Sequence, residues 1–411
     1  MHNQDKAQIN QKEPVVNLTL SGGGAKGIMY TGAYEALHET GLLKQIEEVA
    51  GSSIGALIVT LMATGVDPKL LTALLRTKAF TEFTRPTRAN NLFMMAIQAF
   101  VKYNGIPANE DNLPLQQFIE KLMRFSIKEH LETDGFKQKF YVYTTNTEVN
   151  AEEVLEKLKN KLTTENTITL EEPNNFKTTA QKITFADLAL LREIDPEKFK
   201  KLHITATATD SKNKGKLLIF NAENSPDTAI SLAAGASSAF PGAFKLVKIN
   251  NVNYCDGGIV DNIPISYFSN KGRTLTFCFA GDDTKAYYNV LHSNSTSILS
   301  KWTSSISQAY LNSFVGGIII LAEKNIETAK YLRKEHAINT IILDPKDIGM
   351  LDINKATEKF SQLHDDGKKT TLEHLAKYVN VDQKPQEHNE LSKVKTDGND
   401  HKTLMSIPIV A

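Results

Sequence analysis

The pentapeptide Gly51–Gly55, with the sequence Gly-Ser-Ser-Ile-Gly, constrains the fold of this chain more than any other stretch. It lies between a β-type segment that ends at Ala50 and an apolar segment, residues 56–63, with the composition of a buried helix. In a Gly-x-Ser-x-Gly motif between a strand and a helix, the chain reverses tightly and holds the serine out at the tip. Free N–H groups at the following helix N-terminus favour negative charge at the same place. The motif therefore predicts a nucleophile elbow with Ser53 at its tip.

Two further glycine-rich motifs follow predicted strands. Ser21–Gly27, with the sequence Ser-Gly-Gly-Gly-Ala-Lys-Gly, comes directly after the strand-like segment Val15–Leu20. Asp256–Gly258, with the sequence Asp-Gly-Gly, follows the strand-like segment Lys248–Tyr254. A lone Gly-x-Ser-x-Gly is a weak signal because glycine and serine are common in turns, but three spaced motifs in a fixed order are far more specific.

In this order, the three motifs resemble those of a patatin-like phospholipase: a glycine-rich oxyanion loop, a Gly-x-Ser-x-Gly elbow and an Asp-Gly-Gly segment. Ala234–Pro241 is similar to the family's Ala-Ser-x-Ala-x-Pro stretch, and Leu202–Asp210 resembles the strand before it. The resemblance covers residues 14–380, apart from a divergent segment at 150–182. It implies a three-layer α/β fold with a largely parallel central sheet flanked by helices, which the alternation of predicted strands and helices also favours.

The resemblance also implies the chemistry of the site. A serine hydroxyl needs a base within hydrogen-bond reach, and no histidine after Asp256 lies in a recognisable strand-end loop. The histidines set aside are His292, His336, His364, His374, His388 and His401. The resemblance implies instead a dyad in which Ser53 attacks a fatty-acyl ester and Asp256 takes its proton. It implies further that the N–H groups of Gly22, Gly23 and Gly24 stabilise the oxyanion.

Other motif residues are predicted to support the site without reacting: Lys26, Gly51, Gly55, Gly257 and Gly258. Glycine at both ends of the serine turn lets the chain reverse, and glycine after Asp256 lets the carboxylate sit close to the serine. Lys26 is either a positive charge for a phosphate or for the loop, or a solvated lysine in the first turn of a helix. Asn262 and Pro264 match the family's Asn-x-Pro pattern, and we interpret them as shaping the loop that holds the acid.

The glycine loop has a second interpretation. The Gly-x-Gly-x-x-Gly pattern of Gly22–Gly27, between a strand and a helix, also fits a dinucleotide-binding fingerprint. Glu47 and Glu48 lie about 20 residues further on, where that motif expects an acid. In a dinucleotide-binding domain, however, the acidic residue lies at the end of the second strand. In this chain the second strand is followed by the serine turn instead. A dinucleotide-binding enzyme therefore stays a less favoured alternative, beside a catalytically silent interaction module.

Composition excludes several classes of function. The formal net charge is +0, so no overall field favours nucleic acid. Two cysteines, Cys255 and Cys278, are too few for a disulfide framework, and we interpret both as small buried residues. No apolar run reaches the ~18–20 residues of a membrane span. Neither the composition nor the resemblance implies a metal or an organic cofactor.

Residues 14–380 are predicted to form one catalytic domain, with a disordered arm at 1–13 and a polar tail at 381–411 that ends apolar. Residues 150–182 are interpreted as a solvated insertion, helical at Ala151–Leu162. The arm lacks the apolar core of a Sec signal peptide. The predicted location is cytoplasmic or peripheral to a membrane, or outside the cell after non-Sec secretion. The resemblance implies a phospholipid membrane surface as substrate, and its effector members suggest a protein activator.

Four further local expectations follow from the sequence. The pattern predicts a strand at Lys139–Thr145 and a pair of helices over Ile353–Tyr378 with a break at Gly367. Asn91–Tyr103 is predicted to be a core helix or, alternatively, a lipid-facing lid. A helical stripe is predicted to be buried: Phe118, Ile119, Leu122, Met123 and Phe125.

Overall fold

A computed structural model describes residues 13–76, 112–147, 150–163, 182–209, 216–240, 244–269, 272–280, 338–350 and 352–379. Several predictions lie outside these residues. They concern the arm up to residue 12, the helix at 91–103, the insertion at 164–181 and the tail beyond 380.

Within the described ranges, eight strands form one sheet. They are β1 (Val15–Leu20), β2 (Glu48–Gly51), β3 (Lys201–Ala208), β4 (Leu217–Phe220), β5 (Val247–Ile249), β6 (Val252–Asp256), β7 (Arg273–Phe279) and β8 (Thr340–Leu343). The strand order is β5-β6-β3-β2-β1-β7-β8, with β4 paired to β3. Strands β3, β2, β1, β7 and β8 are mutually parallel, whereas β4 and β6 run antiparallel to β3 and β5 runs antiparallel to β6. The predicted α/β fold with a mostly parallel central sheet flanked by helices is confirmed.

The helices of the described residues are α1 (Met29–Glu39), α2 (Leu42–Gln45), α3 (Ile54–Ala63), α4 (Pro68–Leu75), α5 (Leu113–Leu131), α6 (Asp134–Asn146), α7 (Ala151–Thr163), α8 (Phe185–Ile194), α9 (Ile230–Ser237), α10 (Ile353–Glu358) and α11 (Phe360–Tyr378). Two short 3-10 turns, Gly24–Ile28 and Gly257–Ile259, follow β1 and β6. Every residue of β1 and of β2 is buried, as expected for parallel strands that are covered on both faces. None of the described helices is long and apolar enough to cross a membrane.

Several local features of the described residues have clear physical causes. Asp67 caps α4 by accepting hydrogen bonds from the N–H groups of Lys69 and Leu70. Thr184 begins α8 with a capping box. Both cysteines are buried, one in β6 and one in β7. The segment predicted as a strand before Asp256 is a hairpin, because β5 and β6 turn at two asparagines with positive φ.

The predicted strand at Lys139–Thr145 is wrong, because these residues belong to α6. Thr133 caps that helix by accepting a hydrogen bond from the N–H of Phe136, and Phe136 is its only buried side chain. The β-propensity of the segment's aromatic and β-branched residues is therefore overridden by a capped start and one anchoring contact.

The break predicted at Gly367 is also wrong. α10 ends at Glu358, and α11 runs through Gly367 without interruption. A Cβ atom on Gly367 would lie 2.2 Å from the carbonyl oxygen of Met29, so this glycine permits close packing of α11 on α1. Sequence alone does not distinguish a glycine that ends a helix from one that brings two helices together.

Burial corrects two further expectations. Phe125 of the predicted buried stripe is 44% exposed, whereas Ile119, Leu122 and Met123 are buried as predicted. The predicted helix in the insertion is confirmed as α7. It is not wholly solvated, however, because three of its leucines are buried: Leu155, Leu158 and Leu162.

Candidate active site

The pairing register brings the serine turn and the Asp256 loop to the same part of the sheet. Gly51, the last residue of β2, lies opposite Ile204 of β3, and Asp256, the last residue of β6, lies opposite Ala206. Two residues of a strand span only about 6.6 Å. Because β6 runs antiparallel to β2 and β3, the chain that leaves the end of β2 lies close to the end of β6. Both ends lie beside residues 204–206 of β3.

Ser53 occupies a strained position between β2 and α3. Its φ of 53° and ψ of −126° are uncommon for a residue with a side chain, and such conformations cost of the order of 1–3 kcal/mol each. The Ser53 N–H donates a hydrogen bond of 2.9 Å to Oγ of Ser237, and the N–H of Leu57 donates to the Ser53 carbonyl at 3.2 Å. The surrounding contacts therefore hold this turn in a conformation that it would not adopt alone.

The residue before it anchors the turn from the other side. Ser52 is fully buried, and its Oγ lies 2.5 Å from Oγ1 of Thr205 and donates to the carbonyl oxygen of Asp261 at 2.5 Å. The Ser52 hydroxyl therefore ties the turn to β3 and to the chain that follows Asp256.

The glycines of the serine turn are needed for close approach rather than for a left-handed backbone. A Cβ atom on Gly55 would lie 2.3 Å from the carbonyl oxygen of Leu20 and 2.6 Å from that of Ser21. A Cβ atom on Gly51 would lie 2.6 Å from the backbone N of Ala56. The residue of this turn with a positive φ is Ser53 itself, so the two glycines are not needed to reverse the chain. Gly55 is needed because α3 packs tightly on the end of β1, and Gly51 because it lies against the start of α3.

Asp256 is almost completely buried, with 3% of its surface exposed. Burial raises the pKa of Asp256 to about 6, although hydrogen bonds from the Ser53 side chain and from the N–H of Gly258 lower it. The Gly258 N–H lies 2.7 Å from Oδ1. Gly257 has no room for a side chain, because a Cβ atom there would lie 2.3 Å from the Thr205 carbonyl oxygen. A carboxyl group beside Ser53 with a pKa of about 6 can accept and return a proton near neutral pH.

The glycine loop lies beside Ser53. A Cβ atom on Gly22 would lie 3.0 Å from Cβ of Ser53. The N–H of Gly22 donates to Oδ1 of Asn262 at 3.0 Å, so it is already engaged. The N–H groups of Gly23 and Gly24 have no hydrogen-bond acceptor among the described residues. Of the three N–H groups predicted for the oxyanion, two are therefore left to bind a ligand.

The far side of the loop is fixed by the segment between β8 and α10. The N–H of Ala25 donates to the carbonyl oxygen of Met350 at 2.7 Å. Gly24 has a φ of 57°, and a Cβ atom there would lie 2.2 Å from the same oxygen. Lys26 lies in the 3-10 turn, half-buried, and its ammonium group has no ion-pair partner among the described residues.

Ser53 and Gly24 both line an apolar cavity with a volume of about 110 Å³. Further walls come from α3, α4, α5 and α10 and from the chain that follows α9. The lining is aliphatic and aromatic, and it includes Leu57, Leu61, Leu115, Phe118, Phe244 and Met350. Such a cavity accepts a hydrocarbon chain and excludes charged groups.

Asn262 connects the glycine loop to the acid. Besides accepting the hydrogen bond from Gly22, its Oδ1 would lie 2.7 Å from a Cβ atom on Gly258, which itself would lie 3.0 Å from Oδ1 of Asp256. The Asn262 carboxamide therefore stands between the loop and the acid. The sequence suggested that Asn262 shapes the loop that holds Asp256. In the structure it also contacts the glycine loop, so it joins the two loops.

Comparison with known proteins decides the family. The family model for patatin-like phospholipase matches residues 18–269, which include all three glycine-containing motifs. The chain belongs to the patatin-like phospholipase family.

Two solved structures share the fold of this family member. VipD from Legionella pneumophila aligns with a TM-score of 0.52 and 19% identity, over 89% of this chain and 67% of VipD. ExoU, in its heterodimeric complex with SpcU from the type III secretion system of Pseudomonas aeruginosa, aligns with a TM-score of 0.50 and 19% identity, over 89% of this chain and 52% of ExoU. At this identity the likeness shows the fold alone.

A short sequence match adds a third relative. The uncharacterized protein YqhO of Bacillus subtilis (strain 168) is 47% identical over 55 residues, which are 13% of this chain and 18% of YqhO. The chain thus spans about half of ExoU and a small part of YqhO.

The histidines of this patatin-like chain take part in other contacts where the structure describes them. His364 of α11 is buried, with Nε2 3.0 Å from Oε2 of Glu35 and Nδ1 2.9 Å from Oγ1 of Thr31. His374 donates from Nε2 to the carbonyl oxygen of Ile338. Neither bonds to Ser53, and the other histidines set aside after Asp256 lie outside the described residues.

The acid expected for a dinucleotide site is at the wrong end of its strand. Glu48 is the first residue of β2, not its last, and it is buried. Burial alone would raise the pKa of Glu48. Hydrogen bonds from His203 and Ser269 outweigh this effect and lower the pKa to about 2. A buried carboxylate with these partners, at the amino end of β2, does not reach a ribose beyond the carboxyl end.

No cluster of three or more His, Cys, Asp or Glu side chains that could hold a metal ion exists in the part of the chain that the structure describes.

Proposed function

We propose that the protein is a lipid acyl hydrolase of the phospholipase A or lysophospholipase type, with Ser53 as nucleophile and Asp256 as general base. The observation that carries this proposal is the pairing of the two groups beside the cavity. A buried carboxyl group with a pKa of about 6, which the side chain of Ser53 acts to lower, lies beside a strained serine that lines an apolar cavity.

In the proposed reaction, Oγ of Ser53 bonds to the ester carbonyl carbon while its proton passes to Asp256. The carbonyl oxygen becomes an oxyanion, and the N–H groups of Gly23 and Gly24 are its proposed donors. Each such donor contributes about 3–4 kcal/mol. Collapse of the intermediate breaks the ester bond, and the leaving alcohol takes the proton from Asp256. Water then attacks the acyl-enzyme while Asp256 accepts its proton. Collapse of this second intermediate breaks the bond between the acyl group and Oγ of Ser53, releases the fatty acid and returns the proton from Asp256 to Ser53.

The acyl chain of the substrate is proposed to lie in the cavity. Each methylene group moved from water into such an environment contributes about 0.8 kcal/mol, which favours fatty-acyl over acetyl esters. Lys26 is proposed as a supporting residue, because an uncompensated ammonium group next to the glycine loop attracts a headgroup phosphate.

The relatives suggest partners that belong to the same proposal. ExoU is known in complex with SpcU, and its source is a type III secretion system. We therefore propose a phospholipid membrane surface as substrate, a secreted bacterial effector as the biological role, and a protein activator from the target cell.

The experiment is fatty-acid release from mixed phospholipid vesicles, with and without eukaryotic cell extract. We expect Ser53→Ala and Asp256→Asn to lower the rate by about 10³-fold or more. Ser126→Ala is the matched control, because Ser126 is a buried serine that donates to the Thr64 carbonyl, away from the cavity. For the wild type, kcat/KM should fall tenfold per pH unit below about 6, because Asp256 must be ionised to act as a base.

Undiminished release by folded Ser53→Ala would remove the serine from the mechanism. No release under any condition would favour the interaction module. An equal rate with and without extract would contradict the need for an activator.

A further inference from the structure

We propose that Ser237 is a positioning residue for the nucleophile: its hydroxyl holds the backbone of Ser53 in the conformation that directs the Ser53 side chain to Asp256. This inference rests on the proposed function, because it assigns a task to a residue that never touches the substrate.

The contact joins two distant parts of the chain. Ser237 is the last residue of α9 and is fully buried, and its Oγ accepts the hydrogen bond from the Ser53 N–H at 2.9 Å. α9 is itself fixed from outside the site. Ser231 donates to Oε2 of Glu120 at 2.7 Å, and the Asn112 side chain donates to the Gly235 carbonyl at 2.6 Å. Ser237 is therefore a stationary acceptor rather than a side chain that follows the turn.

The N–H of Ser53 needs an acceptor from another element. The N–H of Ser52 still donates to the carbonyl of Leu20, in continuation of the β1–β2 ladder, at 3.3 Å. Ser53 leaves that ladder, and N–H groups at the start of a helix have no acceptor within the helix. A part-buried N–H in this position is stabilised by a side-chain acceptor from another element. Ser237 supplies it at the residue whose φ is 53°.

The neighbouring serine shows that this contact is not a general property of the helix end. Oγ of Ser238 donates back to the carbonyls of Ala234 and Gly235 in its own helix, at 3.0 and 3.2 Å. Of these two serines, it is Ser237 that bonds to the serine turn. Ser238 also lines the cavity, whereas Ser237 does not, so a change at Ser237 leaves the lining intact.

Removal of the Ser237 hydroxyl leaves the Ser53 N–H without its acceptor, and the peptide then relaxes toward an ordinary conformation. Oγ of Ser53 moves with it. A displacement of about 1 Å from the reactive geometry can lower a rate about 10²-fold. Substrate affinity is set by the cavity and should not change. The expected signature is a loss in kcat with KM preserved.

The test compares Ser237→Ala and Ser237→Thr with Ser126→Ala, which also removes a buried serine hydroxyl. The readouts are kcat and KM on a short-chain p-nitrophenyl ester, and the rate at which a fluorophosphonate probe labels Ser53. We expect Ser237→Ala to lower kcat and the labelling rate about 10- to 100-fold, with KM within about twofold. Ser237→Thr keeps a hydroxyl and should recover most of the rate, while Ser126→Ala should behave as the wild type.

A crystal structure of Ser237→Ala adds a readout that does not depend on turnover. We expect φ of Ser53 to move away from its wild-type value. Wild-type rates, or an unchanged φ at Ser53, would overturn the proposal. Failure of the proposed function is separate, because it would appear as hydrolysis by Ser53→Ala. An inactive Ser53→Ala beside a fully active Ser237→Ala would reject this inference alone.

Discussion

At the scale of single residues, Asp256 has two properties that oppose each other. It is buried, which disfavours its charge, yet in the proposed mechanism it must be ionised to accept a proton from Ser53. Its pKa of about 6 lies above the value of about 3.9 for an unfolded chain. The folded state therefore binds the proton more tightly, and the free energy of unfolding falls as the pH rises from about 4 to about 6.

Replacing Asp256 by Asn should remove this loss of stability. The side-chain oxygen of Asn can still accept the hydrogen bond from the Gly258 N–H, and no charge is buried. We expect Asp256→Asn to be more stable than the wild type by about 2–3 kcal/mol at pH 8, with the difference shrinking to about half near pH 5. Urea denaturation at the two pH values measures it.

The control for this prediction is Asp227→Asn, which removes the charge of an exposed aspartate. An Asp256→Asn variant with the same stability difference at pH 5 and pH 8 would contradict the raised pKa. A variant that is both inactive and more stable would identify Asp256 as a residue kept for function at the expense of stability.

The sequence placed these residues in motifs but could not reveal their contacts. Ser53, Asp256 and the glycine loop meet because of the β2–β3 and β3–β6 registers, which no single motif encodes. The Gly22 N–H donates its hydrogen bond to Asn262, which lies 240 residues further along the chain. Ser237 lies within Ala234–Pro241, the stretch that is similar to the family's Ala-Ser-x-Ala-x-Pro pattern. The hydrogen-bond partner of its hydroxyl, however, depends on where α9 lies in the fold. The catalytic roles themselves stay predictions.

At the scale of elements, the site depends on how closely α3 approaches β1. A Cβ atom on Gly55 would meet the carbonyl oxygens of Leu20 and Ser21, and both belong to backbone in the middle of the sheet. Gly55→Ala must therefore move α3 and with it Ser53. We expect the substitution to lower the free energy of unfolding by about 1–3 kcal/mol and to reduce hydrolysis more than tenfold.

Gly135→Ala is the matched control for Gly55→Ala. Gly135 lies in α6, and a Cβ atom there has no neighbour within 4 Å. Alanine is a better helix former, so this variant should be more stable by about 0.5–1 kcal/mol and equally active. Thermal denaturation and fatty-acid release measure both variants. Wild-type stability in Gly55→Ala would show that α3 can shift without cost.

Some elements carry local signals of where they begin or end, whereas the two wrongly predicted segments carry none. α4 and α8 begin at capping residues, and α1 is followed by Gly41 with a φ of 73°. The residues of α6 have a strand-like composition, and the burial of Phe136 in the hydrophobic core is not visible in the local sequence. Gly367 is similar, because its role appears only when α11 lies on α1. Local chemistry predicts element ends, whereas packing partners need the fold.

At the scale of the whole molecule, residues beyond the family match complete both the sheet and the cavity. The match ends at residue 269, but β7 pairs with β1 in the sheet, and β8 pairs with β7. Met350 supports the glycine loop and lines the cavity. α11 packs on α1, where Lys368 lies 3.1 Å from Glu35 and 2.8 Å from Glu39. We therefore expect the folded unit to extend to the end of α11.

Two truncated chains test the predicted domain boundary at residue 380. A chain that ends at residue 380 keeps every described element, so we expect its melting temperature and its rate of fatty-acid release to match those of the full chain. A chain that ends at residue 337 lacks β8, α10 and α11. It exposes the edge of β7 and one face of α1, and it removes the Met350 carbonyl that fixes the glycine loop.

We expect the shorter chain to aggregate or to unfold at a much lower temperature, and to release no fatty acid.

Gly367→Leu in the full chain tests the packing of α11 on α1 without deleting residues, because the leucine side chain would collide with the Met29 carbonyl and separate α11 from α1. It should lower the melting temperature and the rate together. Full activity of the chain ending at residue 337 would place the boundary near the end of the family match. Loss of activity in the chain ending at residue 380 would instead place part of the functional unit in the tail.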